Sequence, residues 1–283
     1  MSAIRVLLFI LVLIVTVYGK SDKINYAAFR DAQDFSVPVL NCNEENKTAL
    51  FIFPHDDDVI CCAGTSQLLR EKDWMIYALT LTEDADPKEA AKRAVEWSNS
   101  MNILGFKEST HLFLPNNPWE NVQRNELVFW NEKTDSLETL IYKFIMKYRP
   151  SLVFTFDTII GGYGHPEHRL TGKAVYRVFK AHKNEEGFPV TRILHSTMPE
   201  KLEQVWLSNN PAYLLTQKYA GPVTLPEPDA AVDVHSYWPV KRQAAAAYHT
   251  QQATLKKFMM LPDLKDTAAH YHAFAREYYL EVK

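Results

Sequence analysis

Two short segments gather the side chains able to do chemistry. Pro54-His55-Asp56-Asp57-Asp58 directly follows an apolar run, Ala49–Phe53. Asp157-Thr158-Ile159-Ile160-Gly161-Gly162-Tyr163-Gly164-His165-Pro166-Glu167-His168 follows another, Leu152–Phe156. An imidazole and a carboxylate three residues apart converge on one cation when the turn between them is tight. A second imidazole from a neighbouring strand end completes a three-ligand set and leaves one position for water, the open arrangement of a catalytic zinc site. Three adjacent carboxylates also repel one another unless a cation or a proton intervenes. Alone, an Asp run reads as a solvated loop or helix cap, and a His-x-x-His as surface. Placed together at two strand ends, they read as a metal centre.

The elements around them must bring those two ends side by side. Ala49–Phe53, Trp74–Leu81 and Leu152–Phe156 are short continuous apolar runs, suited to parallel strands buried on both faces. Between them, Lys88–Leu104 carries Ala91, Ala94, Val95, Met101 and Leu104 at helical spacing, with Gly105 at the stop. Ser136 opens a second helix whose face is Leu137, Leu140, Ile141, Phe144 and Ile145, closed by Pro150, and Leu170–His182 gives a third. Strands alternating with helices at this spacing predict an α/β fold, a Rossmann-like, mostly parallel sheet flanked by helices. Such a sheet binds ligands outside the carboxyl ends of its strands. Pro211, Pro222, Pro226, Pro228 and Pro239 make the last third irregular, with short strand candidates before helices over Pro239–Lys257 and Ala268–Tyr279. No linker rich in Gly, Ser or charge divides the chain, so residues 48–283 are expected to form a single domain.

The 283 residues are 47% apolar and 12% aromatic, which excludes a disordered chain. Lys+Arg 31 against Asp+Glu 34 leaves a net −3, so no nucleic-acid partner is expected. Residues 1–19 form a segment apart: Arg5 precedes an apolar stretch from Val6 to Val17. As a helix that stretch covers about 18 Å, short of the roughly 30 Å hydrocarbon core. It fits a secretory signal peptide cut after Gly19, giving a secreted or periplasmic protein without a membrane span once cleaved. The alternative is an uncleaved anchor. Residues 20–47 form an N-terminal arm. Cys42, Cys61 and Cys62 allow a bridge from Cys42 to one of the pair, or three reduced thiols, and Asn46-Lys47-Thr48 is a glycosylation sequon.

The two chemical segments resemble the PIG-L-type (LmbE-like) de-N-acetylases, zinc enzymes that remove acetyl from N-acetylglucosamine-bearing substrates. That family carries His-Pro-Asp-Asp-Glu after its first strand and Gly-His-Pro-Asp-His after a later one. Arg93-Ala-Val-Glu96 before Leu104-Gly105 is similar to its Arg-x-x-Glu…Leu-Gly helix. Val232-Asp233-Val234, Lys241 and His249-Thr250-Gln251-Gln252 are similar to its Lys…His-x-Ser-Gln end. The resemblance implies one zinc ion per chain, held by His55, Asp58 and His168. It implies Asp57 as general base, His165 as the imidazole that stabilises charge and protonates the leaving amine, and Tyr163 as a donor toward the carbonyl oxygen. His249 enters as a substrate contact by resemblance alone. Arg93 is a candidate substrate or product contact, set against a helix-surface salt bridge to Glu89 or Glu96, and Trp119 a sugar-stacking residue or loop anchor.

Here Asp56 stands for the family's Pro and Val59 for its Glu. The ungapped register keeps the His-to-Asp spacing at three. A register shifted by one makes Asp56 the base and Asp57 the ligand. The expected activity is metal-assisted hydrolysis of the acetamide of an N-acetylated amino-sugar partner: a glycolipid, a glycoside or a cell-wall fragment. An exported carbohydrate-binding or structural relative with a drifted site is the alternative. A dinucleotide enzyme is disfavoured, because no Gly-x-Gly-x-x-Gly follows the first strand.

Overall fold

Every side chain of Thr48–Phe53 (β1) is buried, and so is every side chain of Leu152–Phe156 (β4). A strand covered on both faces has no polar side to alternate with, which explains the continuous apolar runs. In the computed structural model, which describes residues 25–83, 86–115, 117, 119–126, 134–258 and 267–283, these two strands lie side by side and parallel, Leu50 opposite Val153. Met75–Glu83 (β2) and Glu108–Pro115 (β3) extend the sheet beyond β1, and Arg192–Thr197 (β5) extends it beyond β4, all parallel. Arg276–Val282 (β7) and Ala230–Asp233 (β6) close the far edge antiparallel, in the order β3-β2-β1-β4-β5-β7-β6. Strand order reverses between β1 and β4, so a crevice opens where both candidate segments leave the sheet. The mostly parallel α/β sheet expected from the sequence is what forms.

Phe51, Phe53, Phe154 and Phe156 point to one face, Leu50, Ile52 and Val153 to the other. Ala63–Glu71 (α2) and Pro87–Leu104 (α3) cover the phenylalanine face with Leu69, Trp97, Met101 and Leu104. Thr134–Tyr148 (α5) and Pro166–His182 (α6) cover the other through Ile141, Ile145, Val175 and Phe179. The short helix Trp119–Gln123 (α4) lies between β3 and α5 in sequence. Gly105 ends α3 at φ +72, the left-handed cap its position suggested. Before β1, a one-turn helix Tyr26–Asp31 (α1) buries Phe29. The chain then lies along β6: Leu40 N–H donates to Ala231 O, and Ala231 N–H to Pro38 O. Residues 1–19, read as an export signal, lie outside the described residues; no helix of the described residues is long and apolar enough to cross a membrane. Cys42, Cys61 and Cys62 are free thiols.

Several sequence expectations need correction. The helix expected over Leu170–His182 begins at Pro166, with His165 as N-cap accepting the Glu167 N–H at Nδ1 (3.3 Å). Proline at the first helical position has no N–H to lose, so the motif itself starts the helix. The long helix expected over Pro239–Lys257 is two, Trp238–Ala246 (α9) and Gln252–Phe258 (α10), parted at the His249 loop. The helix expected through Tyr279 stops at Ala273 (Thr267–Ala273, α11), and Arg276–Val282 is strand β7. Tyr278 and Tyr279 enter different core clusters on opposite faces, a period of two rather than 3.6. The irregular stretch before them holds two helices, Glu200–Leu207 (α7) and Pro211–Ala220 (α8), each started next to its proline.

Candidate active site

The turn after β1 is tight because Pro54 O is gripped from β2, by the backbone N–H groups of Leu81 and Thr82 and the hydroxyls of Thr80 and Thr82. The chain then turns through His55–Asp57 into a 3₁₀ segment, Asp58–Cys62. His55 N–H donates to Asp58 Oδ2 at 3.0 Å, folding the carboxylate back beneath the imidazole. From β4, Asp157 accepts the backbone N–H groups of Ile159 (2.8 Å), Ile160 (2.7 Å) and Gly162 (2.7 Å) and bends the loop toward α6. Helix α6 reaches β4 closely only because Gly172 has no side chain: a Cβ there would meet Phe156 O at 2.4 Å.

His55, Asp58 and His168 come together. Asp58 Oδ2 is 3.1 Å from His55 Nδ1, Asp58 Oδ1 is 3.3 Å from His168 Nε2, and the two ring nitrogens are 3.1 Å apart. Outer partners fix what each nitrogen presents. His168 Nδ1 donates to Gly161 O (3.0 Å), so Nε2 faces inward with its lone pair. His55 Nε2 lies 2.7 Å from Glu167 Oε2, which accepts its proton and leaves Nδ1 facing inward as well. Two lone pairs and a carboxylate pointing at one another require positive charge between them. Burial alone would lower the His55 imidazolium, but Asp58 and Glu167 outweigh it and push it up to about 10. A single proton on His55 still leaves Asp58 Oδ1 buried without a hydrogen bond. Tetrahedral zinc with bonds of about 2.0–2.1 Å puts its ligands about 3.3 Å apart, close to the spacing found here. The donor set therefore fits a metal, and Glu167 and Gly161 O are the outer partners that metal-binding histidines take.

His165 stands against the same cluster, its ring 4.7 Å from His55 and perpendicular to it. Its ring nitrogen lies within 4.8 Å of those of His55 and His168, so geometry alone would admit it as a further ligand. Burial and the neighbouring His55 hold its imidazole neutral, with its pKa down at about 3. Asp57 is buried beside Asp58. Burial and Asp56 push its carboxyl up to about 7, against the pull of Arg93. Tyr163 packs edge-on against His168, ring centroids 4.6 Å apart, and burial together with Asp58 and Asp57 raises its phenol well above 10.

Arg93 does not pair with Glu89 or Glu96. Its guanidinium grips both oxygens of Asp56, Nε at 3.0 Å from Oδ2, with Asp57 Oδ1 3.9 Å away. Asp56 is thus held as a counter-charge, and Asp58, three residues after His55, is the carboxylate at the imidazoles. Glu96 instead accepts Thr250 N–H (2.9 Å) and its hydroxyl (2.7 Å), pinning the loop that carries the exposed His249. Trp119 opens α4 and stacks 6.2 Å from His165, at the edge of the cluster. Glu167 and Asp157 are the residues the sequence reading missed. Glu167 stands where the family's Gly-His-Pro-Asp-His motif has Asp, and a carboxylate next to a candidate ligand is where an outer partner would stand. It also accepts Asn117 N–H and the Asn117 amide, each at 2.7 Å.

Residues 50–179, from β1 into α6, match the family model described as PIG-L, GlcNAc-PI de-N-acetylase, the family its motifs resemble. Two curated relatives carry the name 1D-myo-inositol 2-acetamido-2-deoxy-alpha-D-glucopyranoside deacetylase. The one from Thermobifida fusca is 28% identical over 144 residues, 44% of this chain and 47% of that protein. The one from Catenulispora acidiphila is 24% identical over 254 residues, 80% of this chain and 74% of that protein. The match thus spans about half the length of the first relative. Among solved structures, N,N'-diacetylchitobiose deacetylase from Pyrococcus horikoshii superposes with a TM-score of 0.56 at 19% identity, covering 94% of this chain and 95% of that one. At that identity the likeness is one of fold.

Proposed function

We propose that this chain is a zinc-dependent de-N-acetylase that hydrolyses the acetamide of an N-acetylglucosamine-containing substrate. The observation that carries it is the convergence of His55 Nδ1, His168 Nε2 and the Asp58 carboxylate, with Asp57 beside them, at the reversal of strand order. The acetylglucosamine part rests on the PIG-L match and on the names of the relatives.

His55, Asp58 and His168 would hold the ion, which supplies a Lewis acid that polarises the carbonyl and acidifies water. Asp57, with a carboxyl near 7, is poised to take a proton from water at neutral pH. His165 accepts a backbone N–H at Nδ1, so its neutral ring keeps its proton on Nε2 and presents a donor to the oxyanion. Tyr163 keeps its phenolic proton and is a second donor; each is worth about 3 kcal/mol when aimed at developing charge. With His165 neutral, the proton Asp57 has gained is the one available to the departing amine, which shifts that step away from the imidazole the resemblance suggested. The C–N bond breaks as that proton reaches nitrogen, the acyl group keeps the water oxygen as acetic acid, and the acid's remaining proton passes to the freed amine, giving acetate and an ammonium.

The test is acetate release from a panel of N-acetylglucosaminides by purified protein with zinc. One acetate per free amine is expected, and Asp57→Asn should keep zinc while losing about 10²–10⁴ of turnover. No acetate from any member, with zinc bound, overturns the activity. We also propose export by cleavage after Gly19; a mature protein that still begins at Met1 overturns that.

A further inference from the structure

Given the metal site proposed above, we infer that the last residue of β4, Phe156, and the residue after it, Asp157, form the positioning device for His168. Two independent contacts converge on that ring. Phe156 lies flat on it, centroids 4.1 Å apart and planes 1° from parallel. The Asp157 carboxylate, fully buried, collects the N–H groups of Ile159, Ile160 and Gly162. The peptide that gives Gly162 N–H to Asp157 is the same one whose carbonyl, Gly161 O, accepts His168 Nδ1. Asp157 therefore fixes one end of a rigid amide, and the other end fixes the imidazole's tautomer and direction. Gly161 holds φ +75, and a Cβ there would meet Arg169 N at 2.4 Å and His168 Cβ at 2.7 Å, so the loop has no slack with which to re-aim that carbonyl. Rotating His168 away from Asp58 and His55 would require breaking the Asp157 bonds or the Phe156 stack. Asp157 touches no ligand atom and acts through the loop.

The test uses the full chain and reads metal binding rather than turnover. Asp157→Asn is isosteric, but its amide sets an N–H against one of the three backbone donors. Zinc affinity, titrated against a chromogenic chelator, should fall about 10–100-fold, the usual cost of losing an outer partner of a metal histidine. The visible spectrum of the cobalt-substituted protein should shift, since a re-aimed ring changes the ligand field. Ile159→Ala, which trims a half-exposed side chain of the same loop, should do neither. Phe156→Leu removes the stack and leaves Asp157 intact; it should fall between wild type and Asp157→Asn, and it decides alone if Asp157→Asn does not fold. Zinc held within twofold of wild type, with an unchanged cobalt spectrum in the folded variants, overturns the inference alone. A wild-type chain that binds no zinc overturns the metal reading with it.

Discussion

Two pairs of histidines in this molecule bring ring nitrogens to nearly the same separation. His55 Nδ1 and His168 Nε2 are 3.1 Å apart; His235 Nδ1 and His272 Nδ1, between the segment after β6 and helix α11, are 3.2 Å apart. The similarity ends at the spacing. The first pair is backed by Glu167 on one outer nitrogen and Gly161 O on the other, with Asp58 between them. The second is exposed, and the nearby Asp233 carboxylate accepts the backbone N–H of His235. Among the described residues, only the first pair belongs to a group of three ligand side chains within reach of one another. Distance makes two imidazoles neighbours. Fixed tautomers and a buried negative charge make them fit to hold a metal.

The largest expected separation between the pairs comes from the outer carboxylate. Glu167→Gln keeps the shape and removes the charge, so His55 is free to present either tautomer. Zinc affinity should fall about 10–100-fold, read by chelator competition. An affinity unchanged by Glu167→Gln would mean that the 2.7 Å contact to His55 does not prepare the ligand, and the contrast would rest on burial alone.

A second effect, smaller for each pH unit, is graded with pH. His55 is raised from 6.5 to about 10 in the metal-free protein, so in the folded state it carries a proton that an ion must displace. Apparent zinc affinity should therefore rise about tenfold per pH unit through the neutral range, and calorimetry at pH 8 in buffers of different ionisation heat should find one proton released. The stability sign is opposite in the metal-free chain. A folded value above the unfolded one contributes stability that is present below 6.5 and lost as pH rises toward about 10. Zinc affinity flat from pH 6 to 9, with no proton released, would sink this reading of His55.

The buried centre was legible in the sequence for a physical reason. His55 and Asp58 are three apart on one tight turn, and His165 and His168 three apart on another. Both turns follow strands whose unbroken burial leaves an unbroken apolar run, Ala49–Phe53 and Leu152–Phe156. Local patterns therefore encoded both the sheet and the position of its chemistry. The long-range pairs around it were not legible, because Arg93 reaches Asp56 across 37 residues and Thr250 reaches Glu96 across 154. No local spacing distinguishes those pairs from surface alternatives such as Arg93 with Glu89. Strand β7 was misread for a related reason. His270 and Tyr271 are helical, and five residues later the period changes to two with no proline or glycine to mark the change.

The smallest effect is the sharpest control. His272→Ala removes half of the exposed pair, a side chain facing solvent on a short helix, and surface changes of this kind usually stay within about 0.5 kcal/mol. Thermal unfolding should be unmoved, zinc should still bind at one equivalent, and the affinity should stay within about twofold of wild type. The comparison breaks if wild type instead takes up two equivalents and His272→Ala only one. Two imidazoles at 3.2 Å would then hold an ion without a buried carboxylate or a fixed tautomer, and the burial of Asp58 and Glu167 would have to be explained by what they do to the substrate rather than to the metal.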